Sequence, residues 1–355
     1  MQMILNRLCD IAYLIHLARK KQFKTKMISD KDGIRFATPA PVAEYRAKRL
    51  QCKVIADISC GIGGQALYFA KYCDFVYAIE IDEKKISYAK KNAEIMGISN
   101  IEFITGDALS TDLIAALPAL DVVFSDPARP PTEKERNIDN LSPPIPEVMK
   151  AYADKTLNFA FEAPPQITPE KIAYDCEKEY MSLDGKLNRL NLYFGELKKA
   201  DVSAIALPGS TIIRKDGETI NTNRTDKPGT YAYEPEECVI KAGLLDQLAI
   251  SFKEKAEIGI FEIDEKRVLI SSDIPLKSKL FKNSYKVLQL MEFNTGKINS
   301  YLKQNSFGKV IIRASIEPER YWDARNDLEK KLSGKRKAHL FIKKNNAIIC
   351  EVLHH

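Results

Sequence analysis

Between residues 51 and 163, short β-branched runs alternate with longer stretches in which apolar residues recur at helical spacing. In the clearest helical stretch, 83–96, Ile86, Ala89 and Ala93 share one face, and Gly97 follows where a C-cap is expected. This alternation predicts parallel βαβ units, and therefore an α/β fold with a Rossmann-like, doubly wound sheet. The predicted strands are 53–59, 75–81, 101–105, 120–125 and 158–163, and the predicted helices are 65–72 and 83–96.

The flanking regions follow other patterns. Residues 1–50 look helical, and strands at 179–182 and 202–207 are predicted with a helix between them. The polar, turn-rich stretch 214–229 is typical of a linker. Beyond it the pattern runs strand (285–293), helix (295–305), strand (309–314), helix (318–332) and two strands (338–343 and 347–353). We therefore expect an N-terminal helical segment (1–50), a doubly wound domain (51–213), a linker and connecting module (214–275) and a small α+β domain (276–353).

Charge is unevenly distributed along the chain. Residues 276–353 carry 17 Lys and Arg against 7 Asp and Glu, a local charge of +10, whereas the whole chain carries +6. A basic end on a mildly acidic body suggests a polyanionic partner such as RNA, although a solvated basic surface explains the count equally well.

Other features of the composition exclude whole classes of protein. Seven cysteines without a CxxC pair are typical of a reduced, cytoplasmic protein. No run of eighteen apolar residues occurs, so no membrane span is expected. Of the four histidines, two end the chain, and the isolated His16 and His339 do not suggest a metal site.

A glycine-rich turn marks the first strand–helix junction. The segment from Asp57 to Gly64 reads DISCGIGG, and glycines there let a ligand approach the backbone and the helix N-terminus. Two acids follow later strands: Glu80 ends the second, close to where a carboxylate grips ribose hydroxyls, and Asp107 follows the third. Alone, each acid would equally fit a helix cap or a solvated turn.

In their order and spacing along the chain, these motifs together resemble those of class I S-adenosylmethionine methyltransferases. The resemblance implies that Asp57 and the glycine loop face the methionine part of S-adenosyl-L-methionine, that Glu80 binds the ribose diol and that Asp107 binds the adenine amine. Ser59 stands where many members have glycine, and it is small enough to be tolerated. The candidate cofactor-binding residues in these motifs are Asp57, Ser59, Cys60, Gly61, Gly63, Glu80, Ile81, Asp107 and Ala108.

A segment before the glycine loop points to a smaller group within these methyltransferases. Residues 35–39, RFATP, are similar to a Thr-Pro segment that closes over the cofactor in trimethylguanosine synthase-like RNA methyltransferases. Phe36 and Thr38 are therefore further candidates for the cofactor site. The same residues also fit a helix start, with Thr38 as N-cap and Pro39 in the first turn.

Over most of its length the chain resembles a prokaryotic group of methyltransferases with a THUMP-like C-terminal domain. The matching pieces are DPARP at 126–130, LPG at 207–209, YEPE at 233–236, VIKA at 239–242 and the basic α+β end. THUMP domains proper bind RNA in RNA-modifying enzymes. The resemblance to this group does not supply its substrate, but the RNA-binding role of THUMP domains fits the local charge of +10. We therefore expect RNA as the partner of residues 276–353, with no membrane and no metal partner.

The reaction centre is expected after the fourth strand, at the carboxyl edge of the sheet. Amino-group methyltransferases there carry an acidic or amide residue, two prolines and an aromatic residue that stacks on the base. This chain keeps Asp126 and Pro127 but has Ala128 and Arg129 at the last two positions. Arg129 can stack through its guanidinium plane or bind a phosphate. We predict that Asp126, Pro127 and Arg129 form the catalytic set.

Two further sets of residues are candidates for a role in the reaction or in base binding: two cysteines and an aromatic pair. Uracil-carbon methyltransferases need a cysteine nucleophile, but Cys176 and Cys238 lie in no matching motif. Tyr321 and Trp322 fit either base stacking or an aromatic core contact.

The sequence therefore predicts an S-adenosylmethionine-dependent enzyme that methylates a nucleobase of a structured RNA. The alternatives are an RNA- or partner-binding protein on a methyltransferase fold with little catalysis, and a small-molecule or protein methyltransferase.

Overall fold

The computed structural model describes residues 21–23, 27–128, 137–215, 217 and 220–353. The chain divides into two compact units, one up to residue 216 and one from residue 217 onward. Each unit has its own sheet and is described separately.

The described part of the first unit is built on a nine-stranded sheet in the order β3-β2-β1-β4-β5-β7-β6-β8-β9. β7 and β9 run antiparallel to the other strands. The strands are β1 (Val54–Asp57), β2 (Phe75–Glu80), β3 (Ile101–Thr105), β4 (Val122–Ser125), β5 (Phe159–Ala163), β6 (Glu177–Leu183), β7 (Lys186–Tyr193), β8 (Val202–Leu207) and β9 (Thr211–Lys215). The helices are α1 (Lys31–Phe36), α2 (Ala40–Arg49), α3 (Ala66–Phe69), α4 (Glu83–Met96), α5 (Thr111–Ala116) and α6 (Ile145–Ala151).

The strand order reverses beside β1, which pairs in parallel with β2 on one side and β4 on the other. In open α/β sheets, ligands bind at the carboxyl ends of the strands at such a reversal. The predicted Rossmann-like sheet is therefore confirmed, and the glycine-rich turn after β1 lies at the ligand-binding edge.

Helix α4 shows how local sequence sets the element bounds. The Asp82 side chain accepts from the backbone N–H groups of Lys84 and Lys85, which caps the helix start. Gly97 ends it with φ +66°, a left-handed conformation that glycine adopts without strain. Ile86, Ala89 and Ala93 are buried as the periodicity predicts. The predicted helix 83–96 is confirmed residue for residue.

The predicted helix between 182 and 202 is wrong. Lys186–Tyr193 is strand β7, followed by a short 3₁₀ turn at Gly195–Leu197. Asp184 and Gly185 have φ values of +51° and +75° and form the turn of a β6–β7 hairpin. Asp-Gly between two strands is a strong hairpin signal, because both residues tolerate positive φ. That signal outweighs the helical spacing of the leucines that follow.

The described part of the second unit holds a seven-stranded sheet in the order β11-β12-β10-β13-β16-β15-β14. Its strands are β10 (Tyr231–Pro235), β11 (Ile258–Asp264), β12 (Arg267–Ser272), β13 (Phe281–Glu292), β14 (Phe307–Arg313), β15 (Arg336–Lys343) and β16 (Asn346–Val352). Its helices are α7 (Glu237–Lys241), α8 (Leu245–Ile250), α9 (Thr295–Gln304) and α10 (Pro318–Glu329).

The C-terminal order of strand, helix, strand, helix, strand, strand is confirmed. Strands β10–β12 come from within the predicted connecting module, 214–275, and hydrogen-bond into the same sheet as β13–β16. On α10, Tyr321 packs against the apolar core beneath the helix, as its core interpretation predicts, whereas Trp322 is 60% exposed.

The described part of the chain contains no helix with the length and apolar character to cross a membrane. It also contains no group of three or more His, Cys, Asp or Glu side chains placed to hold a metal. The six described cysteines are free thiols, and the Sγ atoms of Cys52 and Cys73 lie 3.8 Å apart.

Candidate functional site

The turn after β1 has a backbone that requires glycine. Gly61 and Gly63 have φ values of +54° and +86°, in the left-handed region that disfavours residues with a Cβ. A Cβ on Gly63 would come 3.1 Å from Leu67, so this glycine packs against α3. A Cβ on Gly61 would meet no atom within 4 Å, so its outer face opens onto free space. A ligand can therefore approach the backbone at Gly61.

Hydrogen bonds hold this loop to both neighbouring strands. The Gly61 N–H donates to Glu80 Oε2 (2.9 Å) at the end of β2. On the other side, the Asp126 N–H donates to Ser59 Oγ (2.6 Å) after β4. The loop thus brings together Ser59, Gly61, Glu80 and Asp126, four of the predicted site residues. The serine that replaces glycine at 59 has a structural role, which is to bind the backbone of the reaction-centre segment.

Asp57 ends β1 beneath the loop and is 1% exposed. Its Oδ1 accepts from the Ser59 N–H (3.2 Å), while its Oδ2 is buried without a hydrogen-bond partner among the described residues. Burial raises the pKa of Asp57 to about 7, and the charges of Asp126 and Glu80 act in the same direction. A buried acceptor oxygen without a donor is costly, so a bound cation or amine would stabilise this site.

The predicted adenine-side residues lie after β3. The Asp107 carboxylate is exposed and accepts from the Leu109 N–H (2.9 Å), whereas Ala108 is buried. The buried Tyr152 donates from its hydroxyl to the Ala108 carbonyl (2.8 Å) and fixes this turn. Ile81 is 71% exposed, as expected of an apolar residue that a planar ligand would cover.

The predicted Thr-Pro segment lies beside the glycine loop. A Cβ on Gly64 would come 3.4 Å from the Thr38 backbone nitrogen. Thr38 is buried, but it does not cap α2: the N-cap position is Pro39, and no side chain caps the helix. The helix-cap interpretation of Thr38 is therefore wrong. Phe36 is 59% exposed, and the Arg35 guanidinium lies 4.3 Å from its ring centre. Cys60 is buried under the loop.

At the reaction centre, Asp126 is half-buried and Pro127 is buried. Ala128 exchanges backbone hydrogen bonds with Ser142 (2.8 and 2.9 Å), which holds the segment after β4 in place. Arg129 lies outside the described residues. A separate cavity of about 450 Å³, lined by Cys52, Lys53 and Asp121, lies at the amino ends of β1 and β4, away from the glycine loop.

A buried charge network beside Asp126 was not predicted. Ser125 pairs with Phe161 across β4 and β5. Glu162, the next residue of β5, therefore lies level with Asp126, which follows β4. Arg46 of α2 is fully buried and donates to Glu162 Oε2 (2.6 Å), Asn191 Oδ1 (2.7 Å) and Gln65 Oε1 (2.9 Å). Removing one partner of a buried ion pair is strongly destabilising, because it leaves an uncompensated buried charge.

Further cations complete this network. Arg189 of β7 pairs with Glu162 Oε1 (2.5 Å). Burial and the charge of Arg189 lower the pKa of Lys21 to about 8, against the charges of Glu162 and Asp126. The sequence signal for this network is a single glutamate in the apolar run FAFEA at 159–163. The partners of Glu162 come from residues distant in the chain.

Comparisons with known proteins agree with this geometry. A family model described as RNA cap guanine-N2 methyltransferase matches residues 52–166. An uncharacterized S-adenosylmethionine-dependent methyltransferase of Mycobacterium tuberculosis is 23% identical over 81% of this chain and 78% of its own length. The trimethylguanosine synthase of Schizosaccharomyces pombe is 48% identical over 21% of this chain and 33% of its own length.

A solved structure shares the fold over most of the chain. It is that of a proposed methyltransferase from Porphyromonas gingivalis W83, with TM-score 0.73 and 16% identity, covering 92% of this chain and 84% of that one. The fold and these relatives define a class: the chain is a class I S-adenosylmethionine-dependent methyltransferase. Its cofactor is S-adenosyl-L-methionine, and it has relatives among RNA methyltransferases.

Proposed function

We propose that this enzyme methylates a nucleobase of a structured RNA, with Asp126 as the group that orients the target nitrogen. The observation that carries the proposal is the 2.6 Å hydrogen bond from the Asp126 N–H to Ser59 Oγ, which fixes the backbone of Asp126 beside the cofactor loop. The RNA substrate is supported by the RNA-modifying families among the matches and by the +10 charge of residues 276–353.

The residues at the carboxyl edge fit S-adenosyl-L-methionine. Asp57 Oδ2, buried and without a donor, suits the ammonium of the methionine part. The free space at Gly61 suits its backbone atoms, and Glu80, already aligned by the Gly61 N–H, suits the ribose diol. When bound, the cofactor supplies a methyl group activated by its sulfonium.

The protein's own contribution is orientation and proton transfer. Asp126 accepts a hydrogen bond from the target amine, aligns its lone pair with the methyl group and eases loss of the amine proton. Glu162 and its partners Arg46 and Arg189 form the buried charge network beside Asp126. Arg129, which follows Pro127 and Ala128, has the proposed role of positioning the base or a phosphate, because its guanidinium is too basic to accept a proton.

The test is transfer of an isotopically labelled methyl group to RNA. Total RNA from cells that lack the gene is incubated with purified protein and labelled cofactor, and its nucleosides are analysed by mass spectrometry. We expect one labelled methylated base. Label in protein or in small molecules but not in RNA would contradict the substrate assignment. No label in any acceptor, despite cofactor binding, would favour a binding protein.

Cofactor affinity is expected to depend on pH through Asp57. Its pKa is raised to about 7, chiefly by burial, so below that pH the carboxyl is protonated and cannot attract an ammonium. The affinity for S-adenosyl-L-methionine should therefore rise by up to about tenfold per unit as the pH approaches 7, and level off above it. Isothermal titration calorimetry at several pH values measures this. An Asp57→Asn variant should bind weakly with no such slope, and an equal slope in that variant would exclude Asp57 as its cause.

A further inference from the structure

The second unit has a sheet face that is not covered by its helices. On β14 and β15, Val310, Ile312, Ala338 and Leu340 belong to the apolar core, together with Ile298 of α9. Because side chains alternate across a strand, Lys309, Arg313, Lys337 and His339 occupy the opposite face. We name these four residues the β14–β15 basic face.

The basic face is open at one end and covered at the other. At the covered end, Phe341 belongs to a core cluster with Phe261 of β11, and Lys343 Nζ lies 4.4 Å from the centre of the Phe261 ring. At the open end, Lys309 and Lys337 are exposed and are direct partners in the β14–β15 register. Like charges directly opposite each other destabilise a sheet. An anion between them would reverse that effect.

The cations of this face make no ion pair within the described part of the chain. Lys309 and Lys337 have no ion pair there, and neither does Arg313, whose Nε is buried without a hydrogen-bond partner. Glu234, the nearby carboxylate, accepts instead from Asn283 Nδ2 (2.7 Å) and the Tyr285 hydroxyl (3.1 Å). A buried N–H of a guanidinium without an acceptor costs folding free energy.

His339, which follows Lys337 by two residues on β15, also lies on this face. His339 is 5% exposed, and its Nδ1 has no hydrogen-bond partner among the described residues. Burial, together with the charges of Arg313 and Lys337, lowers the pKa of His339 to about 4, despite the opposing charge of Glu234. The imidazole is therefore neutral at pH 7, and it adds a hydrogen-bonding group without adding to the repulsion.

We infer that the β14–β15 basic face is a phosphate-binding site for the RNA backbone, formed by Lys309, Lys337 and Arg313 above the buried His339. The inference rests on the proposed RNA substrate and locates its contact within the second unit. Phosphate oxygens would accept from the two lysines and from the guanidinium, which can bind them in a bidentate manner. Binding would neutralise a cluster that the fold leaves unpaired.

The test compares two double variants of equal charge. Lys309→Ala/Lys337→Ala removes the exposed lysines of the site, whereas Lys297→Ala/Lys303→Ala removes exposed lysines of α9, on the helical side of the same sheet. Binding of total tRNA and of a fluorescein-labelled RNA hairpin is measured by anisotropy over a range of salt. At ~0.1 M salt, each lost phosphate contact should weaken binding by about eightfold and reduce the slope against log salt by about 0.9.

We expect this loss in the site variant and a much smaller change in the α9 variant. Equal weakening in both would overturn the inference and leave the proposed function standing, because the RNA would then respond to charge alone. A wild-type protein that binds neither RNA would overturn both. Loss of folding is not expected to explain weaker RNA binding, because replacing Lys309 or Lys337 relieves repulsion between them. Thermal melting of each variant checks that it is folded.

A variant of Arg313 distinguishes a role in RNA binding from a role in folding. An Arg313→Met variant removes a half-buried cation without a partner, so its melting temperature should be equal to or higher than that of the wild type, while RNA binding weakens. A lower melting temperature with unchanged RNA affinity would make Arg313 a structural residue and contradict its place in the site.

Discussion

An Asp126→Ala variant is expected to lose at least about 100-fold in methyl transfer to its RNA, while its affinity for S-adenosyl-L-methionine stays close to that of the wild type. The carboxylate is the proposed acceptor for the target amine, and alanine can neither orient that amine nor receive its proton. The local backbone should be preserved, because Asp126 is tied to Ser59 through its N–H group, which alanine retains. Single-turnover transfer of a labelled methyl group measures the loss.

The matched control is Asp121→Ala, which changes the same residue type next to the other end of β4. The Asp121 carboxylate accepts from the Val54 N–H (2.7 Å) at the amino edge of the sheet, away from the cofactor loop. Losing this bond should cost about 1 kcal/mol of stability and leave turnover unchanged. If Asp126→Ala folds, binds cofactor and methylates at the wild-type rate, Asp126 has no catalytic role.

The cofactor side of the fold was predictable because its signals are local. The helix over 83–96 is encoded by its own apolar spacing and ended by its own glycine. The turn at 57–64 carries a glycine at each of the two positions where the backbone needs positive φ. The following acids, Glu80 and Asp107, come at strand ends that the pattern also marks. Each of these predictions uses only residues close in the chain.

The buried charge network beside Asp126 was not predictable from residues close in the chain. Arg46 looks like one of several basic residues in an amphipathic helix, yet it is fully buried against Glu162 and Asn191, more than 100 residues away. Only the tertiary fold brings β5 and β7 together beneath α2. Strand β7 differs in this respect, because the Asp184-Gly185 turn that precedes it is a signal carried by neighbouring residues.

A Gly61→Leu variant is expected to fold and yet to bind S-adenosyl-L-methionine more than about 100-fold more weakly than the wild type. A side chain at φ +54° costs about 1–2 kcal/mol of stability, but it meets no protein atom within 4 Å. The leucine would therefore occupy the free space next to the loop, which is the space proposed for the methionine part of the cofactor. Overpacking costs up to about 3 kcal/mol, which corresponds to the expected loss of affinity.

Gly97→Leu is a control matched in backbone strain. Gly97 has φ +66°, and a Cβ there also meets nothing within 4 Å, but it ends α4 away from the glycine loop. Both variants should lose similar stability in thermal melts, and only Gly61→Leu should lose cofactor binding by calorimetry. Equal affinities in the two variants would show that the space at Gly61 is not the cofactor site. Equal losses in both would assign the effect to destabilisation of the fold.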